Sequence, residues 1–526
     1  MRIGIDVGGT NTDAVLLDGD TVLATVKSPT TPDVTGGVIT AVNAVLDGSG
    51  AAPGAITAVM IGTTHFVNAL VEGERLAPTA AVRLGLPATA ALPPMTDWPA
   101  RLRAALGHET GAAPTFLCHG GHEYDGREIS PLDEDELRKA AAGIAARGIR
   151  SVAVSSVFSP VSADAELRAA EIFAAELGDA VHLSLSHEIG RVGLLPRENA
   201  TIVNAALRDL AVTIVEAFGG ALTTAGITAP LFLSQNDGTL MDVEHARRYP
   251  VATFASGPTN SMRGAAYLSG LTDCAVIDVG GTTADIGILT GGFPRQAAGE
   301  AELAGVRTNF RIPDVLSLGI GGGSLADLDP PSIGPRSVGY RLTEEALVFG
   351  GDTLTATDLA VAAGRADIGD AARVAHLDPD AVQAGLRHIA ARLAETVDRM
   401  RTSAEPIPAV AVGGGSILVG SELPGFPDVR RPGHFAVANA IGAAIAQVGG
   451  EVDRVFQVPA GHRDAVLDAA KDEAVRAAED AGARPGTVTI TDIEEVPLAY
   501  LPGGATRIRI NAVGDLDLQR LESAHA

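Results

Sequence analysis

Short apolar runs alternate with amphipathic stretches along most of the chain. Ile3–Ile5 and Ala275–Ile277 are runs of the kind that buried strands make, and Val59–Ile61, Ser151–Phe158, Pro230–Ser234 and Val410–Val412 add four more. Between them, apolar residues recur at helical spacing over Gly36–Leu46, Pro131–Arg147, Ala163–Leu177 and Arg197–Phe218, the last long enough to form two helices. Ser130 or Asp133 stands where a cap of the second of these helices belongs. Ala255–Pro258 opens a helix through Ala266, and Ala436–Ala446 is a helix of small residues that must pack closely on a neighbour. Dense Pro and Gly from Pro78 to Pro99 read as loop. Strands alternating with helices predict an α/β architecture. The tail from 452 differs: a charged helix over His462–Ala481 and two alternating runs, Thr487–Ile493 and Thr506–Ile510, predict a small α/β unit.

One local pattern occurs twice. Asp6-Val7-Gly8-Gly9-Thr10 returns as Asp278-Val279-Gly280-Gly281-Thr282, each copy after an apolar run and each followed by a further aspartate, Asp13 or Asp285. The plan in both places is strand, glycine turn, strand. An aspartate at the end of a buried strand sits at the sheet rim, facing water or a metal. The paired glycines let the backbone turn sharply and approach a ligand. Successive N–H groups in such a turn form a concave anion site. A carboxylate beside a phosphate repels it, so a bridging cation, Mg²⁺, is expected. Two copies predict two related lobes facing one nucleotide.

Length and charge narrow the field. At 526 residues the chain exceeds one core, and its expected division is a first lobe at 1–181, a second at 182–451 and a small C-terminal region at 452–526. The formal net charge of −25 opposes binding to nucleic acid or anionic membranes. Two cysteines, Cys118 and Cys274, give no disulfide framework, and no apolar stretch reaches membrane-spanning length, so a cytoplasmic protein is expected.

Other motifs are excluded or open. There is no GxxxxGK[ST], and lysine is limited to Lys27, Lys139 and Lys471, which argues against a P-loop ATPase. GxSxG, HExxH and CxxC are absent. Cys118-His119 and His122-Glu123 put metal-ligand types close together without matching partners elsewhere, so an ordinary polar loop is the better reading. His65, after Gly62-Thr63-Thr64, is a candidate for acid–base work or for a helix start. Gly321–Gly323 and Gly413–Gly415 are turns that either meet a ligand or pack a crossing; for the second, with Ser416, ligand contact is expected.

Taken together these residues resemble the hydantoinase A/5-oxoprolinase family of the actin–hexokinase–Hsp70 ATPase superfamily. The resemblance rests on Gly4–Asp13, Gly62–Thr64, Arg197–Ala205, Ser256–Pro258, Asp278–Asp285, Gly321–Ser324 and Gly350–Gly364, spanning roughly residues 2–450. The family usually has an aromatic residue where Asn11 stands and a Gly-Gly-Ala-Gly-like element at Gly413–Ser416. The chain looks like the short branch of that family. The resemblance implies two ribonuclease-H-like, actin-like ATPase lobes around a nucleotide cleft, with the small C-terminal α/β appendage. It implies ATP-dependent opening of a cyclic amide or imide by phosphorylation of the carbonyl oxygen. Asp6 and Asp278 would hold Mg²⁺; Gly8, Gly9, Thr10, Gly280, Gly281 and Thr282 would cradle phosphates. Gly413, Gly414, Gly415 and Ser416 would touch the nucleoside, and Asp13, Asp285 and, as an outside candidate, His65 would serve the chemistry. A small-molecule kinase of this fold, or an ATP-binding subunit of a two-protein hydrolase or carboxylase, are the alternatives. A second subunit and an oligomer are in keeping with such relatives.

Overall fold

The computed structural model describes residues 1–9, 11–30, 34–109, 113–178, 181–297, 299–426, 428–498 and 504–518. The first glycine turn joins antiparallel strands Arg2–Val7 and Asn11–Asp18, and Thr21–Pro29 pairs on the outer side. The chain then passes through helix Val34–Ser49 and returns as Ala58–Thr63, parallel to Arg2–Val7. A helical crossover is needed because a parallel neighbour is out of reach of a tight turn.

The second copy repeats this plan. Cys274–Val279 and Ala284–Thr290 are antiparallel, with Phe293–Pro294 and Val315–Leu318 pairing on the outer side. Helix Pro379–Met400 precedes Ala409–Val412, which lies parallel to Cys274–Val279. The same strand order twice makes two ribonuclease-H-like lobes. Ile3, Ile5, Val59 and Ile61 in the first, and Ala275, Ile277, Val410 and Val412 in the second, are fully buried. Helices cover both faces of these central strands, which explains their continuous apolar runs.

The first-lobe sheet is larger than the local pattern announces. Leu231–Ser234 and Thr239–Asp242 extend it, followed by Gln447–Gln457, Ala505–Gly514 and Thr489–Pro497 to give nine strands. It therefore draws on all three stretches expected as separate domains, across 181/182 and 451/452. Periodicity reports local structure, whereas strand pairing is long-range. The small C-terminal α/β region continues this sheet, with helix Arg463–Asp480 lying so close that a Cβ on Gly450 would stand 2.2 Å from Ala478 N.

A separate parallel sheet is inserted, ordered Thr115–His119, Thr79–Leu86, Ser151–Ser156, His182–Leu185. Helices Glu134–Ala145, capped by Asp133, and Asp164–Leu177 accompany it. The supposed loop from Pro78 thus begins as a buried strand. Its Arg83 is fully buried and grips Glu198 through Nε and Nη2, at 2.6 and 2.5 Å. Glu198 belongs to helix Leu194–Thr224, a single uninterrupted helix of 31 residues. Arg197 beside it donates to Ser186 Oγ, Ser156 O and the carbonyls of Arg191 and Val192. These buried arginines tie the inserted sheet to the long helix.

Two helices cross at the junction of the lobes. Ser256–Ser269 and Ala438–Ile445 approach through glycine: a Cβ on Gly264 would stand 1.9 Å from Ala438 O, and one on Gly442 1.8 Å from Asn260 O. Gly4 plays the same part for the strand beneath, where a Cβ would come within 2.1 Å of Ala440 O. The small residues of 436–446 are explained by this crossing. Among the described residues no helix is long and apolar enough to cross a membrane.

Candidate functional site

Strand register brings the aspartates face to face. Asp6 lies directly opposite Asp13, and Asp278 directly opposite Asp285. Facing residues share one side of the sheet at close range, and like charges there destabilise it. The turns are also equivalent: Gly8 N donates to Asn11 O at 3.0 Å, and Gly280 N to Thr283 O at 2.8 Å. Among the described residues Gly9 N and Gly281 N have no acceptor, and a Cβ on either glycine would meet nothing within 4 Å. Both turns therefore present free N–H groups to open space, as an anion cradle requires. Thr10 lies outside the described residues; Thr282 is exposed at the tip of its turn.

The second turn is braced from behind. Gly322 N and Gly323 N donate to the carbonyls of Gly280 and Gly281, at 3.0 and 2.7 Å. A Cβ on Gly321 would stand 2.5 Å from Thr282 N. Of the two readings of Gly321–Gly323, the geometry gives packing.

The lobes bring the two carboxylate pairs into electrostatic contact. Burial is the main force that lifts Asp6 to about 6, and facing Asp13 adds to it. Asp278 rises to about 7, again chiefly by burial, against a hydrogen bond from Ser261 and with Asp285 and Asp6 pushing the same way. Asp285 is also raised by burial, partly offset by Ser317 Oγ at 2.5 Å. The cation at the junction is Lys27, which touches the fields of both Asp6 and Asp278. Its Nζ donates to both oxygens of Asp13, at 2.8 and 2.9 Å, and to Ala436 O at 3.3 Å. Asn439 Nδ2 spans Asp6 Oδ2 and Asp13 Oδ2, at 3.0 and 2.9 Å. Asn260 Nδ2 approaches Asp6 Oδ1 at 3.4 Å, leaving its own Oδ1 buried without a partner. Four carboxylates against one ammonium leave a negative pocket of hard oxygen donors, and these residues suit a small divalent cation.

Glycine makes room for each strand-end aspartate. A Cβ on Gly62 would stand 2.4 Å from Asp6 Oδ1, and one on Gly413 would stand 2.2 Å from Asp278 Oδ1. Gly413 also has φ +81°, a conformation glycine adopts freely. A Cβ on Gly415 would lie 2.6 Å from Gly280 O, while one on Gly414 would lie 3.7 Å from Lys27 Cε. Ser416 Oγ is buried without a partner. The segment Gly413–Ser416, expected at the nucleoside, stands against the second glycine turn and Lys27.

Lys27, Asn439, Asn260 and Ser261 escaped sequence reasoning. Lys27 carried one signal, lysine's scarcity. Asn439 lies inside a helix whose small residues read as packing, and Asn260 and Ser261 inside a helix read only from its opening.

His65 follows the strand end at Gly62–Thr63 that pairs with Asp6 and Val7. It starts helix His65–Glu72, its Nδ1 lies 2.6 Å from Thr63 Oγ1, and burial pulls it down to about 4. No hydrogen bond or ion pair joins it to the four aspartates among the described residues. His119, from the Cys118–Glu123 stretch, approaches Asp133 and Glu136. Those carboxylates are already engaged: Asp133 caps a helix, and Glu136 accepts from His119 N and lies 3.0 Å from its Nδ1.

Residues 2–177 match the hydantoinase/oxoprolinase N-terminal region, and residues 197–413 match the hydantoinase/oxoprolinase family. The caprolactamase subunit alpha of Pseudomonas jessenii is 29% identical over 391 residues, 69% of this chain and 54% of that protein. The acetophenone carboxylase gamma subunit of Aromatoleum aromaticum is 28% identical over 397 residues, 69% of this chain and 53% of that protein. The match thus spans about half the length of these relatives. The crystal structure of the ATP-dependent caprolactamase from Pseudomonas jessenii superposes with a TM-score of 0.77 at 20% identity, covering 98% of this chain and 88% of that one. The chain belongs to the hydantoinase/oxoprolinase family.

Proposed function

We propose that this chain uses ATP and Mg²⁺ to open a cyclic amide or imide. The observation that carries the reading is that Gly413 and Gly414 lie against Asp278 and Lys27, while Lys27 binds Asp13, the cross-strand neighbour of Asp6, so that both glycine hairpins meet at one junction. Kinship with an ATP-dependent caprolactamase supports the substrate class.

The residues fit the chemistry. An unstrained lactam is a poor electrophile. Transfer of the γ-phosphoryl group to its carbonyl oxygen releases ADP and leaves an imidate phosphate. Water adds at the former carbonyl carbon, and the ring C–N bond breaks as its nitrogen takes up a proton, leaving an amine and an acyl phosphate. A second water hydrolyses the acyl phosphate to the carboxylate and inorganic phosphate. Such transfer depends chiefly on positioning and electrostatic stabilisation. The free N–H groups of Gly9 and Gly281 would receive phosphate oxygens from opposite sides. Asp6 and Asp278 would hold Mg²⁺, which when bound neutralises charge on the phosphates. Lys27 would add a second positive charge, anchored by Asp13. With both its oxygens on Lys27, Asp13 is engaged, so the orienting of lactam or water falls to Asp285. His65, held neutral, stays outside the reaction.

The test is ADP release by the full chain against a panel of hydantoins, 5-oxoproline and larger lactams, with and without a co-purified partner. Release stimulated by one ring class supports the reading. Turnover that ignores every ring, or a stable phosphorylated product detected by mass, contradicts it. Similarity to a carboxylase subunit favours a second reading, an ATP-binding subunit of a carboxylase. It predicts ADP release that needs a ketone, bicarbonate and a second polypeptide.

A further inference from the structure

A cavity of about 1100 Å³ lies where the first-lobe sheet, the segment 187–191 and the second-lobe hairpin at 290–296 meet. None of Asp6, Asp13, Asp278 or Asp285 lines it. Its wall carries Arg191, whose Nε and Nη2 are both buried without a hydrogen-bond partner. Among the described residues no other arginine leaves this pair of donors in that state.

That edge of a guanidinium is a carboxylate clasp. Elsewhere in this chain the Nε–Nη2 edge of Arg83 holds Glu198, that of Arg463 holds Glu495 and that of Arg507 holds Asp453. Among the described residues the one carboxylate within 4 Å of Arg191, Asp453, stands at 4.0 Å from Nε, beyond hydrogen-bond reach. Asp453 is taken by Arg507 and by Arg311 at 3.0 Å. A buried donor pair left unpaired is expensive. The backbone of Arg191 is held in place. Its N–H donates to Asn309 Oδ1, and its carbonyl accepts from Arg197 Nη1 and Asn309 Nδ2. Arg509 Nε and Gln296 Oε1, also on the wall, are buried and unpartnered too.

We propose that this cavity is a binding site for a small carboxylate-bearing molecule, whose carboxylate is clasped by the Nε–Nη2 edge of Arg191. The clasp alone would take phosphate as readily. The surroundings discriminate: Glu451, Asp453 and Asp492 stand on the same wall, so phosphate, which brings two charges to the clasp, meets more repulsion there than a carboxylate group, which brings one. The site is separate from the phosphate turns and does not depend on the reading of their chemistry.

Isothermal titration calorimetry of the full chain with glutarate, in low-salt buffer, tests the proposal. One equivalent of glutarate binds the wild type, and Arg191→Lys, which keeps the charge but loses the planar fork, weakens binding by about tenfold or more. Arg191→Gln weakens it further, and thermal unfolding confirms that both variants are folded. Asp278→Asn binds glutarate as the wild type does. Absence of glutarate binding overturns the proposal. So does equal affinity in Arg191→Lys, equal affinity for neutral glutaramide, or inorganic phosphate binding as tightly as glutarate.

Discussion

Replacing Asp6 by Asn should make the chain more stable while removing its ATP turnover. Asp6 is 5% exposed and ionises near 6 instead of the usual 3.8. Holding it charged at pH 8 therefore opposes folding by ~3 kcal/mol. The raised value belongs to the folded state, so between pH ~4 and ~6 the folded chain binds more protons than the unfolded one, and this contribution to stability falls as pH rises. Asn removes the charge and keeps an oxygen for Asn439. Its new NH₂ faces Asn260, whose unpartnered Oδ1 becomes the acceptor once that amide turns over. The assay is chemical denaturation of wild type and Asp6→Asn in EDTA across pH 4 to 8. The difference should open between pH ~4 and ~6 and level off at ~2–3 kcal/mol in favour of the variant. Added Mg²⁺ should close the gap by stabilising the wild type alone. A flat difference, or a variant less stable than wild type at pH 8, refutes the reasoning.

Lys27→Met should lower ADP release by about a hundredfold or more, since it removes the cation at the junction and frees Asp13; unchanged release would take Lys27 out of the site. His65→Gln should leave the pH profile of ADP release without any lost limb between pH 5 and 8, because burial holds His65 neutral there; a vanished limb would return His65 to the chemistry. Gly442→Ala should destabilise the fold by ~3 kcal/mol or more, read by denaturation, because its Cβ would stand 1.8 Å from Asn260 O. Glu198→Gln should cost about 3–5 kcal/mol by leaving the Arg83 charge buried and uncompensated; a near-neutral effect would mean the pair does not tie the inserted sheet to the long helix.

The parts of the site that lie within one hairpin were legible in the sequence. Two copies of Asp-Val-Gly-Gly-Thr after apolar runs predicted both turns, and the added Asp13 and Asp285 proved to be the cross-strand neighbours of Asp6 and Asp278. What depends on distant pairing was not. Asn439 reaches Asp6 across 433 residues, from a helix whose pattern speaks only of close packing, and Asn260 reaches it across 254, from a helix legible only as a helix. Lys27 lies on a third strand whose register against Asp13 no single run of residues specifies. The strand Thr79–Leu86 was hidden because it carries a buried arginine, and Arg83 becomes tolerable inside only once Glu198 arrives from another element. Helix Pro379–Met400 and strand Gln447–Gln457 also went unannounced, the second because Gly449 and Gly450 interrupt its apolar run. Both glycines are there for contact: a Cβ on Gly449 would meet Thr239, and one on Gly450 would strike the C-terminal helix.

The most direct test is a crystal structure of the full chain with a non-hydrolysable ATP analogue and Mn²⁺, read by anomalous scattering. The account predicts one metal peak between Asp6 and Asp278, with phosphate oxygens on the N–H groups of Gly9 and Gly281. A metal peak remote from either aspartate, or a triphosphate seated on one hairpin alone, would contradict it.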